Sequence, residues 1–174
     1  MNIKLLLRWI ATFLAFPIAG FLAALALGPI RELLPAAVAG AMVGALLGLA
    51  QWWALRPIGV TFDWAWSTAV ALMFASPIAW ALIGYSSSVL ALTTWGLIAG
   101  IIVGLSQALS QRLQVSKSLI WATLVSAAWG LAWFISANVI VDAESNYAIF
   151  GSTGAVVATA VLSLFLSPVL TRTK

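Results

Sequence analysis

Polar and apolar positions along the 174 residues fall into long blocks rather than an alternation. Six apolar runs stand out, at Leu5–Leu27, Leu33–Leu55, Trp64–Tyr85, Val89–Leu109, Leu119–Ile140 and Tyr147–Leu170. Each is roughly 20 residues or more, the length of helix that crosses about 30 Å of hydrocarbon. No run alternates with period two, and a segment in lipid must satisfy its own backbone, so the pattern predicts helices. The joints are short and polar or carry proline: Gly28 to Glu32, Arg56 to Gly59, Ser86 to Ser88, Arg112 to Ser118, and Asp142 to Asn146. Short joints make neighbouring helices antiparallel. The expected fold is an all-α integral membrane protein, a single transmembrane domain over residues 1–174 with six transmembrane helices.

The second to fifth runs contain an internal repeat. Gly40, Gly44 and Gly48 recur as Gly96, Gly100 and Gly104, Leu49 as Leu105, Gln51 as Gln107 and Arg56 as Arg112, all at one offset of 56 residues. Beyond the arginine the match loosens: Trp121 answers Trp66, and Trp133 answers Trp80, each after a small deletion. The unit is a helical hairpin, with helices two and three repeated as four and five. A two-helix unit returns the chain to its starting side, so the copies are parallel. Many alternating-access carriers use inverted repeats instead, although parallel ones exist, which weakens a carrier reading.

Glycine at every fourth position lays a smooth stripe along one helix face, and close backbone approach is what draws helices together in lipid. Gln51 and Gln107 lie on those stripes. The expectation is that helices two and four face each other, glycine stripe to glycine stripe, with the two amides bonded at one depth. Both amides also stand as candidate ligand contacts, because an embedded polar side chain needs a partner. Ala11, Ala15, Ala19 and Ala23 give helix one a second small-residue face. Pro17 and Pro77 sit within runs and are expected to kink them.

Composition sharpens this picture. The chain is 64% hydrophobic and 7% charged, with a mean hydropathy of +1.13, so no polar coat is available for a soluble domain. The net charge of +4 comes from single basic residues at helix ends and not from a cluster, which argues against nucleic acid as a partner. Placing both termini in the cytoplasm puts Lys4, Arg8, Arg56, Arg112, Lys117, Arg172 and Lys174 inside and Arg31 alone outside, as the positive-inside rule asks. The first apolar run is too long for a signal peptide and is expected to be retained as helix one. Trp9, Trp52, Trp53, Trp64, Trp66 and Trp121 then gather at the cytoplasmic end, where an interfacial belt with wet indole N–H groups is expected.

Candidate chemistry is sparse. With no histidine and no cysteine, there is no thiol nucleophile, no Cys/His metal site and no common haem ligand. No carboxylate falls within an apolar run, although an ion pump would want one there. No catalytic residue and no metal ligand is assigned, and the chain is expected not to be an enzyme. The candidate cofactor-binding residues are Gln51, Gln107, Trp80, Trp95, Trp129 and Trp133, with carotenoid or chlorophyll as candidate cofactors. The candidate packing residues are the six glycines of the stripes with Ala11, Ala15 and Ala19. Asp63 is a candidate partner for Arg56, and Asp142 with Glu144 form an acidic outer joint.

The run Gly44-Ala-Leu-Leu-Gly48-Leu-Ala-Gln51-Trp52-Trp53-Ala-Leu55-Arg56 resembles small polytopic membrane proteins of bacteria, phototrophic lineages among them, which carry repeated hairpins with a Gly-rich helix, Gln-Trp and Leu-Arg. The second copy departs from that pattern, with Ala108 and Leu109 in place of the tryptophan pair. The resemblance implies a multi-pass protein of a bacterial inner or photosynthetic membrane. In size, helix number and the alanine face of helix one, the chain also resembles the substrate-binding subunits of energy-coupling-factor vitamin transporters, without their binding-loop motifs. The expected function is a non-enzymatic accessory or structural subunit of a larger membrane complex, photosynthetic or respiratory, that packs by small-residue faces and holds lipid or pigment. Its partners would be membrane lipids and other membrane subunits. The alternative is a small-solute, vitamin-like binding or transport protein.

Overall fold

In the computed structural model, residues 3–84, 86, 88–139 and 151–170 are described, and among them every regular element is a helix. The helices are α1 (Ile3–Ala11), α2 (Ala15–Leu27), α3 (Leu33–Leu55), α4 (Asp63–Ile83), α5 (Val89–Ser110), α6 (Val115–Val139), α7 (Ser152–Ser163) and α8 (Leu166–Leu170). Among the described residues, five stretches are long and apolar enough to cross a membrane: Ile3–Leu27, Leu33–Ile58, Asp63–Ile83, Val89–Ser110 and Val115–Val139. The chain thus reads as a multi-pass membrane protein. The sixth expected crossing begins at Tyr147, outside the described residues. Its described part is the 12-residue α7 followed by the short α8.

Proline explains two interruptions. A proline ring offers no N–H to the carbonyl four residues earlier and crowds it. For Pro17 that carbonyl belongs to Phe13, and a 3-10 turn over Thr12–Leu14 divides α1 from α2 there. For Pro168 it belongs to Leu164, where α7 gives way to α8 through the tighter bonds Leu164 N to Val161 O (3.2 Å) and Phe165 N to Leu162 O (3.0 Å). Pro77, by contrast, lies inside an uninterrupted α4. At their other ends α2 and α4 stop on glycines with positive φ, Gly28 (65°) and Gly84 (75°), a conformation that suits a residue without Cβ.

The glycine stripes do not face each other. Each is covered by its own hairpin partner. A Cβ on Gly40 would collide with Leu72 O, one on Gly44 would sit 2.7 Å from Thr68 O, and one on Gly48 2.7 Å from Ala65 O, all on α4. In the second hairpin, a Cβ on Gly96 would sit 2.6 Å from Trp129 O, one on Gly100 2.7 Å from Ser126 Cα and one on Gly104 2.7 Å from Ala122 Cα, all on α6. The expectation that α3 and α5 meet stripe to stripe is therefore corrected. A glycine face demands a close neighbour, and the short joint delivers the next helix first. Ala19 and Ala23 are likewise buried within the bundle, whereas Ala11 is exposed.

Consecutive helices pack side by side from α2 to α7, and α1 closes the ring by packing on both α7 and α3. The α6–α7 contact uses one more glycine: Gly154 lies against Ala132 O, and its N–H donates to Ser136 Oγ at 3.1 Å. Bulky apolar side chains point outward, among them Leu25, Leu34, Leu82 and Leu90, as a lipid-facing surface requires.

Candidate functional site

The polar centre is built by four helices at one depth. Gln51 and Gln107 project from the last turns of α3 and α5, Trp64 from the first turn of α4 and Trp121 from the second turn of α6. An indole N–H only donates, so it must meet an amide oxygen and thereby orients the amide. Trp64 Nε1 donates to Gln51 Oε1 at 3.1 Å, and Trp121 Nε1 donates to Gln107 Oε1 at 3.1 Å. The two amides are bonded directly, with Gln107 Nε2 donating to Gln51 Oε1 at 3.1 Å. Gln107 Nε2 also donates to Thr68 Oγ1 at 3.0 Å, and Thr68 donates to the Trp64 carbonyl at 2.7 Å. The two indole rings lie 5.7 Å apart between centroids.

This geometry corrects two expectations. Trp9, Trp64 and Trp121 are 0%, 0% and 1% exposed, so they belong to the interior and not to an interfacial belt. Trp9 Nε1 is also bonded inside, to Thr159 O at 2.7 Å. Trp53 and Trp66 are exposed, and Arg8 lies 5.3 Å over the Trp53 ring. The indole that answers Trp121 is Trp64, not Trp66. It stands 13 residues after its glutamine where Trp121 stands 14 after its own, so the second hairpin has one residue more between the two. The same one-residue shift matches Ala65 with Ala122, Thr68 with Val125 and Leu72 with Trp129 at the glycine contacts. Trp133 then corresponds to Ser76, not to Trp80, as the contacts of Gly96 and Gly40 show.

Further polar residues, none of them singled out by the sequence pattern, hold α4 to α5. Ser106 Oγ donates to Ser67 O at 3.1 Å, Ser67 Oγ donates to Ser110 Oγ at 3.2 Å, and Ser110 Oγ donates to Gln107 O at 2.8 Å. Gln111, also buried, accepts from Thr61 N at 2.9 Å and donates to Thr61 Oγ1 at 3.1 Å, tying the two hairpin turns together. Its spacing of four from Gln107, on the same helix face, is the signal that could have found it. Asp63 accepts from Thr61 Oγ1 at 3.1 Å, while Arg56 lies 5.8 Å over the Trp52 ring rather than on Asp63.

A cavity of about 50 Å³ adjoins the network, between α1–α2, α3, α6 and α7. Of the candidate ligand-contacting residues, Gln51, Trp129 and Trp133 line it. Trp95 stands behind it, edge-on to Trp133 at 5.4 Å. Gln107 is sealed inside the network, and Trp80 sits on α4 away from the lining, its indole N–H buried without a partner among the described residues. Phe16 packs edge-on to Trp133 at 5.8 Å and forms part of the opposite wall. Asp142 and Glu144 fall outside the described residues. A buried amide donor left without an acceptor costs about 1–3 kcal/mol, so a network and a cavity that share Gln51 are coupled. Comparison with known protein families, with curated proteins and with solved structures returns no match for the chain.

Proposed function

We propose that the protein is a non-enzymatic accessory or structural subunit of a larger membrane protein complex, photosynthetic or respiratory, that holds a lipid-soluble molecule. In this reading it crosses a bacterial inner or photosynthetic membrane six times with both termini in the cytoplasm. Hairpins α3–α4 and α5–α6 are its parallel repeat and its rigid centre. The observation that carries the reading is the neutral amide–indole network. Gln51, Gln107, Trp64, Trp121 and Thr68 are joined by neutral groups alone, and among the described residues no acidic or basic side chain is buried. Membrane lipids and neighbouring membrane subunits would meet the wide apolar rim, where Leu82 and Leu90 are 71% and 77% exposed. Copurification in a mild detergent tests it. A stable assembly heavier than this chain with its micelle is expected, and a lone chain at every detergent concentration would count against the subunit role.

The second reading is a small-solute binding or transport protein, and the cavity beside Gln51 is what favours it. A polar, water-soluble solute bound stoichiometrically to the lone chain would decide for that reading. The pigment variant has its own test, since visible absorption bands in the gently purified protein would support carotenoid or chlorophyll. A featureless spectrum would remove both.

A further inference from the structure

The two glutamines are wired differently. Gln107 uses both amide hydrogens, one on Gln51 Oε1 and one on Thr68 Oγ1. Gln51 Oε1 takes two donors, so that amide cannot turn over, and its Nε2 donates to no described residue. The counterpart of Thr68 in the second hairpin is Val125, which has no acceptor to offer. Gln51 is 5% exposed, and it lines the cavity. Its Nε2 is not walled off, since the sealed polar atoms without a partner among the described residues are Trp80 Nε1 and Thr153 Oγ1. A buried amide N–H pair thus opens on the cavity.

An acceptor stands on α7. Thr159, 6% exposed, also lines the cavity. Its hydroxyl hydrogen is committed to the main chain, with Ala155 O and Val156 O both at 2.9 Å, so toward the cavity Oγ1 only accepts. The two residues share a level in the bundle. Arg8 lies 5.3 Å over the Trp53 ring, which sets α1 beside the end of α3. The next residue, Trp9, donates to Thr159 O at 2.7 Å and thereby brings α7 to that level. Size then selects the occupant. A water needs about 10–15 Å³, whereas a benzene-sized ligand takes a cavity of about 150 Å³. About 50 Å³ is room for a few waters, and not for a ring or an acyl chain. No lysine, arginine, aspartate or glutamate lines it, so an ion meets no counter-charge. Gln51 Nε2 wants an acceptor and Thr159 Oγ1 a donor, and water is both.

We propose that the Gln51 end of the cavity is a water site, in which an ordered water accepts from Gln51 Nε2 and donates to Thr159 Oγ1. Through it the polar network of the two hairpins extends to α7. The site is independent of the subunit reading, in which a lipid-soluble molecule is left to the outer faces of the bundle. The test uses the full chain in detergent micelles, labelled with ¹⁵N-glutamine and ¹⁵N-tryptophan, and reads magnetisation transfer from water to the side-chain amides by NMR. Transfer to Gln51 Nε2 is expected, with the sign of a held water. Gln107 is the internal reference. Both its N–H bonds are closed within the protein, one of them on the exchangeable Thr68 hydroxyl, so its transfer measures relay through a hydroxyl alone. Gln51 should exceed it several-fold. Ala158→Leu, which fills the cavity and keeps both polar partners, should bring Gln51 down to the level of Gln107. Thr159→Val removes the acceptor and should lower the transfer as well. Unshifted Trp64 and Trp121 indole signals report an intact network in each variant.

Equal transfer at Gln51 and Gln107 in the unaltered chain would overturn the water, whatever either variant does. Undiminished transfer in Ala158→Leu would place the water outside the cavity and overturn the site. Undiminished transfer in Thr159→Val would overturn the bridge to α7.

Discussion

Hairpins α3–α4 and α5–α6 share their packing residues and differ in almost everything else. Both bring a glycine stripe against the backbone of the next helix, and both set an indole on a glutamine. Around that shared frame the substitutions are directional. Thr68, Leu72 and Ser76 in the first hairpin stand where Val125, Trp129 and Trp133 stand in the second. The first hairpin therefore supplies the hydroxyl that completes Gln107, and the second supplies the aromatic wall beside Gln51. The lesson is that close approach tolerates little change, whereas the side chains just beyond it decide which glutamine is sealed and which is left facing a space.

The largest effect tests what the hairpins share. Gly44→Leu and Gly100→Leu should each drive helix backbones apart and abolish a monodisperse, cooperatively melting protein, because the nearest atoms are main chain or Cα and cannot turn away. A tolerated leucine at either site would break the equivalence.

The next effect separates the glutamines. Gln51→Leu strands two donors, the Trp64 N–H and one Gln107 N–H, while Gln107→Leu strands one, the Trp121 N–H. Each change should cost roughly 0.6–2 kcal/mol, with the larger loss at Gln51. The double change strands only the two indoles, so a double-mutant cycle read by thermal or denaturant unfolding should come out below the sum of the singles. Additive costs would mean that the amides act independently.

Smaller still is the exchange of the partner position. Thr68→Val should cost about 0.6 kcal/mol or somewhat more by removing the second acceptor of Gln107. Val125→Thr, which tests whether a hydroxyl at the matching position reaches Gln51, should leave the protein as stable or slightly more so. A loss at Val125→Thr as large as that at Thr68→Val would show that the hydroxyl does not reach. The smallest change concerns the turns. The first carries Gly59 at φ 90°, whereas the second forces Arg112 to φ 53°. Arg112→Gly should relieve about 1 kcal/mol of left-handed strain and raise the melting temperature by a few degrees, while Gly59→Ala should lower it.

Much of this was legible in the residues, and the remainder fails for physical reasons. Long apolar blocks marked the crossings because lipid permits little else at that length. The offset of 56 placed Gln51 and Gln107 at one depth, and the bond between them is direct. The stripes told of close approach without telling to whom, since a glycine face is equally smooth to any neighbour. The interior tryptophans were misread because an indole at a helix end looks the same whether its N–H finds water or an amide 13 residues away. The correspondence between the hairpins was lost past the turn because the second has one residue more there, and Thr68 and Val125 share shape but not chemistry. Gln111 has Leu55 as its counterpart, so no repeat could have drawn attention to it.

The hydrogen-bond chain through the centre has a direction and an end. Gln107 donates to Thr68, and Thr68 donates to the backbone carbonyl of Trp64, which accepts and passes nothing on. The indoles that feed the chain only donate, and each amide is pinned by the bond it receives. A Grotthuss wire needs groups that take a proton on one side and release one on the other, with rotors free to reset. Thr68 is the rotor between Gln107 and Trp64, and it is held at both ends. Among the described residues, the bonds of the polar centre therefore form no continuous path for a proton.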